Sequence, residues 1–94
     1  MMDKMLERLN PPCVIKVDGS VEPISVSGKY LKLEEMQKAV EGLIEFVYIG
    51  NKKYAIIVNE EGLVYNLKPN VFARLNWGKI LVGNILIVPK RMLK

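Results

Sequence analysis

In two stretches of the chain, hydrophobic residues recur every three to four positions, which places them on one face of a helix. The first runs from Met1 to Leu9, and Asn10 with two prolines ends it, because proline lacks an amide hydrogen and restricts the residue before it. The second runs from Leu33 to Leu43, with acids in its first turn where the helix dipole favours them. We predict a short N-terminal helix and an amphipathic main helix of about three turns, ending at a left-handed Gly42.

Five other segments have the apolar, β-branched composition of strands. They read CVIKV, EPISV, LIEFVYI, YAIIVN and KILVGNILIV, and Asp-Gly and Gly-Asn turns join the first four into two hairpins. Pro23 predicts an edge strand, because proline cannot donate to a strand ladder. The fourth segment suits a central strand, and Gly83 in the fifth indicates a bulge or the close approach of another backbone. The last strand could join either hairpin.

This order of segments predicts the α+β class: a single small domain in which one helix layer packs on a mostly antiparallel sheet of about five strands. A short helix interrupts the strands at KPNVFARLN, with Pro69 in its first turn and Phe72 or Ala73 pointing inward. Asn70 is expected to cap this helix or to pin it against the preceding NEEG turn. The predicted parts are a helical extension over residues 1–12, a core domain over 13–89 and a loose basic tail over 90–94.

The composition changes this picture little. Ninety-four residues, of which 50% are hydrophobic and 26% charged, are typical of one globular domain. No apolar run reaches the roughly 20 residues of a membrane helix, and Asp3 and Glu7 interrupt any N-terminal signal core. The single cysteine allows no internal disulfide. We therefore expect a cytoplasmic protein that does not associate with membranes.

The sequence carries no catalytic constellation. It has no histidine, which removes the commonest general base and metal ligand. Cys13 has no local activator and suits a small buried hydrophobe, and Glu60 and Glu61 suit a turn, because neighbours in an extended chain point to opposite sides. The scattered glycines form no phosphate-binding loop. We expect no catalytic residues, no metal site and no cofactor, and hence a protein that is not an enzyme.

The net charge of +4 is uneven along the chain, with six basic residues and no acidic one from Gly62 onward. This segment is either a solvated face or a surface for an anionic partner. Phe72 and Trp77 lie within it and would either stack bases or pack in the core. The candidate nucleic-acid contacts are Lys68, Arg74, Lys79, Lys90 and Arg91.

A second candidate site consists of three amides and one guanidinium that are close in sequence. Such groups suit a polar or phosphorylated small molecule if they converge on one rim. The alternative is that they serve only the structure of the turn and the short helix. The candidate ligand-binding residues are Asn59, Asn66, Asn70 and Arg74.

The order of the motifs NEEG, LKPN and ILVGNILIV resembles a family of small uncharacterised proteins of bacteriophages and mobile elements, described as a domain of unknown function. The resemblance spans about Val14 to Val88, so the first helix is an addition, and Lys32 departs from a good helix cap. It implies a compact fold in a phage or mobile-element setting and brings no catalytic residues. The residues that carry it are Asn59, Glu61, Gly62, Leu67, Pro69, Asn70 and Gly83.

These observations lead to one main functional hypothesis and one alternative. The main hypothesis is a non-enzymatic phage-type protein in the host cytoplasm that sequesters a host protein or an anionic, nucleotide-like small molecule, as a counter to host defence. The alternative is a nucleic-acid-binding accessory protein that uses the basic C-terminal third. We also expect a homo-oligomer, formed through the Met-rich face of the first helix and an apolar edge strand.

Overall fold

The computed structural model describes residues 2–93, with side chains from residue 4 onward. Met1 and Lys94, predicted in the first helix and the basic tail, lie outside the described residues. Within residues 2–93, no helix has both the length and the apolar character that crossing a bilayer requires. The elements are α1 (Met2–Glu7), β1 (Cys13–Ile15), β2 (Val21–Pro23), α2 (Leu33–Val40), β3 (Ile44–Val47), β4 (Tyr54–Asn59), α3 (Val71–Trp77), β5 (Ile85–Pro89) and a 3₁₀ helix (Lys90–Met92).

The five strands form one antiparallel sheet in the order β2-β1-β5-β4-β3. The closing strand β5 pairs with both β1 and β4, so it joins the two hairpins that the sequence left unconnected. Pro23 lies in β2, which is an edge strand as predicted. The predicted α+β class, with a five-stranded antiparallel sheet, is confirmed.

Helices cover both faces of this sheet, whereas a single helix layer was expected. Alternate residues of β5 point to opposite faces, with Ile87 in one core and Leu86 in the other, and both are fully buried. Leu6 of α1 and Ala73 of α3 pack into the first core, and Met36 of α2 packs into the second. A strand that is apolar at every position has to be covered on both sides, which explains the second helix layer.

The main helix is shorter than predicted and ends one residue earlier. Its first turn is capped by Glu35, whose Oε1 accepts from the Lys32 backbone N–H at 2.8 Å, so the carboxylate supplies the cap that the Lys32 side chain lacks. At the other end, Glu41 adopts the left-handed conformation that was expected at Gly42, with φ 63°. Gly42 is needed there for a different reason, which involves Asn59.

The two ends of the described chain pack on the domain. Leu6 is fully buried, and Met5 and Leu9 pack beside it, so the apolar face of α1 docks on its own core. Met92 and Leu93 pack on the second core, and the Met92 carbonyl accepts from the Leu31 N–H at 2.9 Å. The predicted loose tail is therefore wrong for residues 90–93, because two of these residues contribute apolar contacts.

The segment between α3 and β5 also differs from the prediction. Strand β5 begins only at Ile85, and Pro69 precedes the helix cap and forms an isolated bridge with Val82. Gly83 has φ 80°, and a Cβ there would lie 2.8 Å from Leu67 Cδ1. The Leu67 side chain therefore makes the close approach on the Cβ side, and the backbone of Lys68 also comes close, because its carbonyl accepts from the Gly83 N–H at 2.7 Å.

Candidate functional site

Asn59 is an internal clamp. It ends β4 and is 4% exposed, and its Nδ2 donates to the carbonyls of Val40 at 3.0 Å and Glu41 at 3.2 Å. Its Oδ1 accepts from the Glu61 N–H at 2.7 Å. The amide therefore joins the end of α2 to the NEEG turn, and structural use accounts for its bonds.

Asn70 is a second internal clamp and caps α3. Its Oδ1 accepts from the Ala73 N–H at 3.3 Å. Its Nδ2 lies 3.1 Å from the Ile15 carbonyl, 3.2 Å from that of Lys16 and 3.0 Å from that of Gly83. The expected cap is confirmed, but the side chain pins α3 to the end of β1 and to Gly83, rather than to the NEEG turn.

The other two candidate ligand residues, Asn66 and Arg74, have exposed side chains. The structure thus turns two of the four predicted groups inward and leaves two at the surface. For Asn59 and Asn70, contacts within the protein satisfy both the nitrogen and the oxygen of the side-chain amide. Asn66 and Arg74 stay candidate contact residues.

The five candidate nucleic-acid contacts are all exposed, but Lys68 lies at the opposite end of β5 from Lys90 and Arg91. At its start, the Lys68 carbonyl accepts from the Gly83 N–H at 2.7 Å. At its other end, Lys90 and Arg91 follow Pro89 directly. Five residues of strand span roughly 16 Å, so Lys68 is separated from Lys90 and Arg91, and the five side chains do not form one cluster.

Lys90 and Arg91 instead lie beside Lys53, which is not among the predicted contacts. The register pairs Tyr54 with Pro89, and the Lys90 N–H donates to the Lys53 carbonyl at 2.8 Å. Lys53, Tyr54, Lys90 and Arg91 line a cavity of about 330 Å³. In the sequence, Lys53 is visible only as part of the Lys-Lys pair in the second hairpin turn. Which residues lie next to it across the sheet depends on the pairing of β4 with β5.

Two exposed aromatic rings adjoin these cations. A second cavity, of about 230 Å³, is lined by Phe46 and Tyr48 and shares Tyr54 and Lys90 with the first. Phe46 is 55% and Tyr48 79% exposed, and none of the described residues that line the two cavities is acidic. We call this area the basic–aromatic surface; it comprises Phe46, Tyr48, Lys53, Lys90 and Arg91.

On the sheet face that carries α1 and α3, a groove of about 370 Å³ remains open over β3 and β4. Its lining combines apolar side chains with three acidic residues. Leu63, Val64 and Ile80 border it and are 82%, 77% and 82% exposed. We call it the acid-rimmed groove; it is lined by Glu45, Glu60 and Glu61 together with Val47, Val58, Leu63, Val64, Ile80, Leu81 and Val82.

A further cleft, of about 390 Å³, lies between α2 and the β1–β2 hairpin. Its charged groups have partners within the protein. Lys16 pairs with Glu22 at 3.6 Å, and the Glu35 carboxylate accepts from the backbone of Lys32 and of Ser27. The Lys32 bond is the main reason that the pKa of Glu35 is lowered. These contacts suit a structural cleft better than a ligand site.

No catalytic arrangement emerges among the described residues. Cys13 is buried, and desolvation raises the pKa of its thiol to about 11, so little thiolate forms near neutral pH. No group of three or more His, Cys, Asp or Glu residues within the described part of the chain could hold a metal ion. Trp77 packs edge-to-face on Phe72, with ring centroids 5.3 Å apart, so these two rings serve the core.

Comparison with known proteins returns one match. A family model with the description "Domain of unknown function (DUF3846)" matches residues 10–91. The match covers every strand and begins after α1, in agreement with the first helix being an addition to the family core. No curated protein and no solved structure matches the chain.

Proposed function

The chain belongs to the DUF3846 family, and from its geometry we propose that it is a non-enzymatic protein that binds a phosphorylated, nucleotide-like ligand. The observation that carries this proposal is the basic–aromatic surface. Three cationic side chains and two exposed aromatic rings meet there around adjoining cavities, and the lining residues that the structure describes include no acid. That combination suits a ligand with both a phosphate and an aromatic base.

The two halves of the surface would contact different parts of the ligand. Lys53 and Lys90 provide point charges for phosphate oxygens, and the planar guanidinium of Arg91 can bind two of these oxygens at once. Phe46 and Tyr48 offer ring faces on which a base can stack. The backbone bond from Lys90 to Lys53 keeps the two lysines adjacent before any ligand arrives, which favours phosphate binding between them.

A free nucleotide and the end of a single-stranded nucleic acid share this chemistry. A nucleic-acid strand would extend beyond the two cavities and neutralise further charges, so its affinity would fall more steeply with salt. The same surface is therefore compatible with the small-molecule hypothesis and with the nucleic-acid alternative. The salt dependence of the binding affinity distinguishes the two.

The biological setting of the proposal rests on the resemblance noted in the sequence. It supports a protein of a bacteriophage or mobile element that acts in the host cytoplasm and sequesters a ligand or a host protein against host defence. Affinity capture from infected cells tests this part. Recovery of nucleotides or nucleic acid would agree with it, and recovery of a host protein alone would favour the protein-sequestering form of the hypothesis.

The binding experiment uses isothermal titration calorimetry with three probes: inorganic phosphate, ADP and a short single-stranded oligothymidylate. Lys90→Gln/Arg91→Gln should abolish measurable binding of ADP, and Tyr48→Ala should weaken it roughly fivefold to a hundredfold, because stacking on one ring contributes about 1–3 kcal/mol. The matched control, Lys68→Gln/Lys79→Gln, removes the same charge from exposed positions outside the basic–aromatic surface and should bind normally.

Two results would overturn the proposal. One is no heat with any of the three probes. The other is an equal loss of binding in both double variants, because only net charge would then matter. Tighter binding of the oligonucleotide than of ADP, with a steep salt dependence, would identify single-stranded nucleic acid as the ligand.

A further inference from the structure

Exposed apolar side chains are concentrated in one segment of the chain. Of the twelve large hydrophobic residues that are exposed among those described, six fall within residues 63–80. Leu63, Val64 and Ile80 border the acid-rimmed groove, and Val71 and Leu75 lie on α3. A concentration of this kind marks an interaction surface.

The acidic residues of the groove indicate that its occupant should be positively charged. Glu45 and Glu60 form no ion pair within the described part of the chain, and the Glu61 carboxylate has a weak contact with the Tyr65 hydroxyl at 3.5 Å. Three carboxylates around an apolar groove, on a chain whose net charge is +4, favour an occupant that is apolar and basic.

Helix α3 of the same chain has this chemistry on its outer side. Val71, Arg74 and Leu75 are spaced at i, i+3 and i+4, so they share one face, and all three are exposed. Val71 is 45% and Leu75 77% exposed. Lys68 and Lys79 flank the helix on either side and add to its positive charge.

We propose that two copies of the chain pair about a two-fold axis, with the outer face of α3 of each copy in the acid-rimmed groove of the other. A two-fold interface needs a self-complementary patch. Here Gly78 and Lys79 connect α3 to Ile80 of the groove, so the basic and acidic halves are neighbours along the chain. This interface goes beyond the proposed function and does not involve the basic–aromatic surface.

The molecule has enough accessible surface to form such an interface. A stable interface buries about 600–800 Å² from each partner, which is roughly a tenth of the 6130 Å² of accessible surface. The alternative face for self-association, on α1, already packs on its own core through Met5, Leu6 and Leu9. The groove and α3 are therefore the better candidate for the homo-oligomer expected from the sequence.

Charge reversal tests the pairing, with mass measured by native mass spectrometry and by sedimentation at micromolar concentration. The unmodified protein should be a dimer. Glu60→Lys and Arg74→Glu should each raise the dimer Kd by roughly tenfold to a hundredfold, because like charges then face each other in both halves of the interface. Glu60→Lys and Arg74→Glu in the same chain should restore the dimer, since opposite charges again meet.

Two further variants keep the test specific. Glu34→Lys makes the same charge change on α2, on the opposite face of the sheet, and should leave the dimer intact. Leu75→Asp should give a monomer, because it places a charge in the apolar part of the interface. The variant should still fold, because the Leu75 side chain is exposed in the single chain. Far-ultraviolet circular dichroism is the control that checks whether each variant has folded.

Three outcomes would overturn the proposal. They are an unmodified protein that is monomeric at micromolar concentration, a dimer that neither single reversal weakens, and a double reversal that fails to restore the dimer. Each of them leaves the ligand-binding proposal untouched, because the charge-reversed residues lie outside the basic–aromatic surface.

Discussion

The side-chain amide of Asn59 occupies the space that a side chain at Gly42 would need. A Cβ at Gly42 would lie 2.6 Å from Asn59 Nδ2, the atom that holds the Val40 and Glu41 carbonyls at the end of α2. Asn84 adds a bond from its Nδ2 to the Ala39 carbonyl at 3.3 Å. Asn59 at the end of β4 and Asn84 just before β5 thus satisfy carbonyls that a helix end leaves without intrahelical partners.

Gly42→Ala should therefore lower the free energy of unfolding by about 1–3 kcal/mol, because the new methyl group displaces the Asn59 amide from a packed site. Urea denaturation followed by circular dichroism measures this change. Gly28→Ala is the matched control, since a Cβ at Gly28 would meet nothing within 4 Å. Equal stabilities of the two variants would show that Asn59 moves aside without cost.

Asn70→Asp should be more destabilising than Asn70→Ala. Both variants lose the donor that serves Ile15, Lys16 and Gly83, but the aspartate also places a carboxylate among their carbonyl oxygens. We expect losses of about 2–4 kcal/mol in the free energy of unfolding, measured by denaturation in urea.

The control for this pair is Asn76→Ala. Asn76 is exposed, and its amide donates to the Phe72 carbonyl of its own helix, at 3.0 Å. We expect a change within about 0.5 kcal/mol. A loss at Asn76 as large as that at Asn70 would contradict the role of Asn70 as a clamp between α3, β1 and Gly83.

The thiol of Cys13 should react slowly with Ellman's reagent in the folded protein and rapidly in denaturant, because it is buried. Desolvation also raises its pKa from 9.0 to about 11. As the pH rises from about 9 to about 11, the unfolded chain loses this proton while the folded chain keeps it, so stability should fall. Cys13→Ala should lack this particular decline, which pH-dependent denaturation would show. Fast labelling without denaturant would contradict the burial of the thiol.

Glu35→Gln should remove a pH-dependent contribution to stability. The pKa of Glu35 is lowered, chiefly by the Lys32 N–H bond, so its stabilisation is present above the ordinary carboxyl pKa and is lost as the pH falls through the lowered one. The stability difference between the unmodified protein and Glu35→Gln should therefore shrink from neutral pH to about pH 3. Glu34→Gln, a neighbour without these bonds, is the control, and a difference independent of pH would contradict the capping role.

Several elements of the fold could be predicted from local sequence alone. The periods of Leu33–Val40 and of Tyr54–Asn59 identify a helix and a buried strand, because the spacing of apolar residues directly reports which backbone geometry puts them on one face or two. Pro23 identified an edge strand and Asn70 a helix cap for similarly local reasons. These features depend on neighbours within a few residues.

The candidate sites could not be predicted in the same way. Lys53 meets Lys90 and Arg91 only because β4 and β5 pair in a particular register. The inward turn of Asn59 likewise depends on where α2 ends above the sheet. The residues that surround a polar side chain in the sequence can be the same whether its partner is solvent, a ligand or a distant carbonyl. Sequence spacing therefore cannot distinguish these cases.

The sequence by itself therefore determined the class of the protein, the order of its elements and the absence of histidine chemistry. Tertiary structure alone decided the central place of β5, the second helix layer, the packing of residues 90–93 and the separation of Lys68 from Lys90 and Arg91. The physical reason is the range of the interactions. Helix and strand periods arise between near neighbours, whereas strand register and side-chain clamps join residues that only the folded chain brings together.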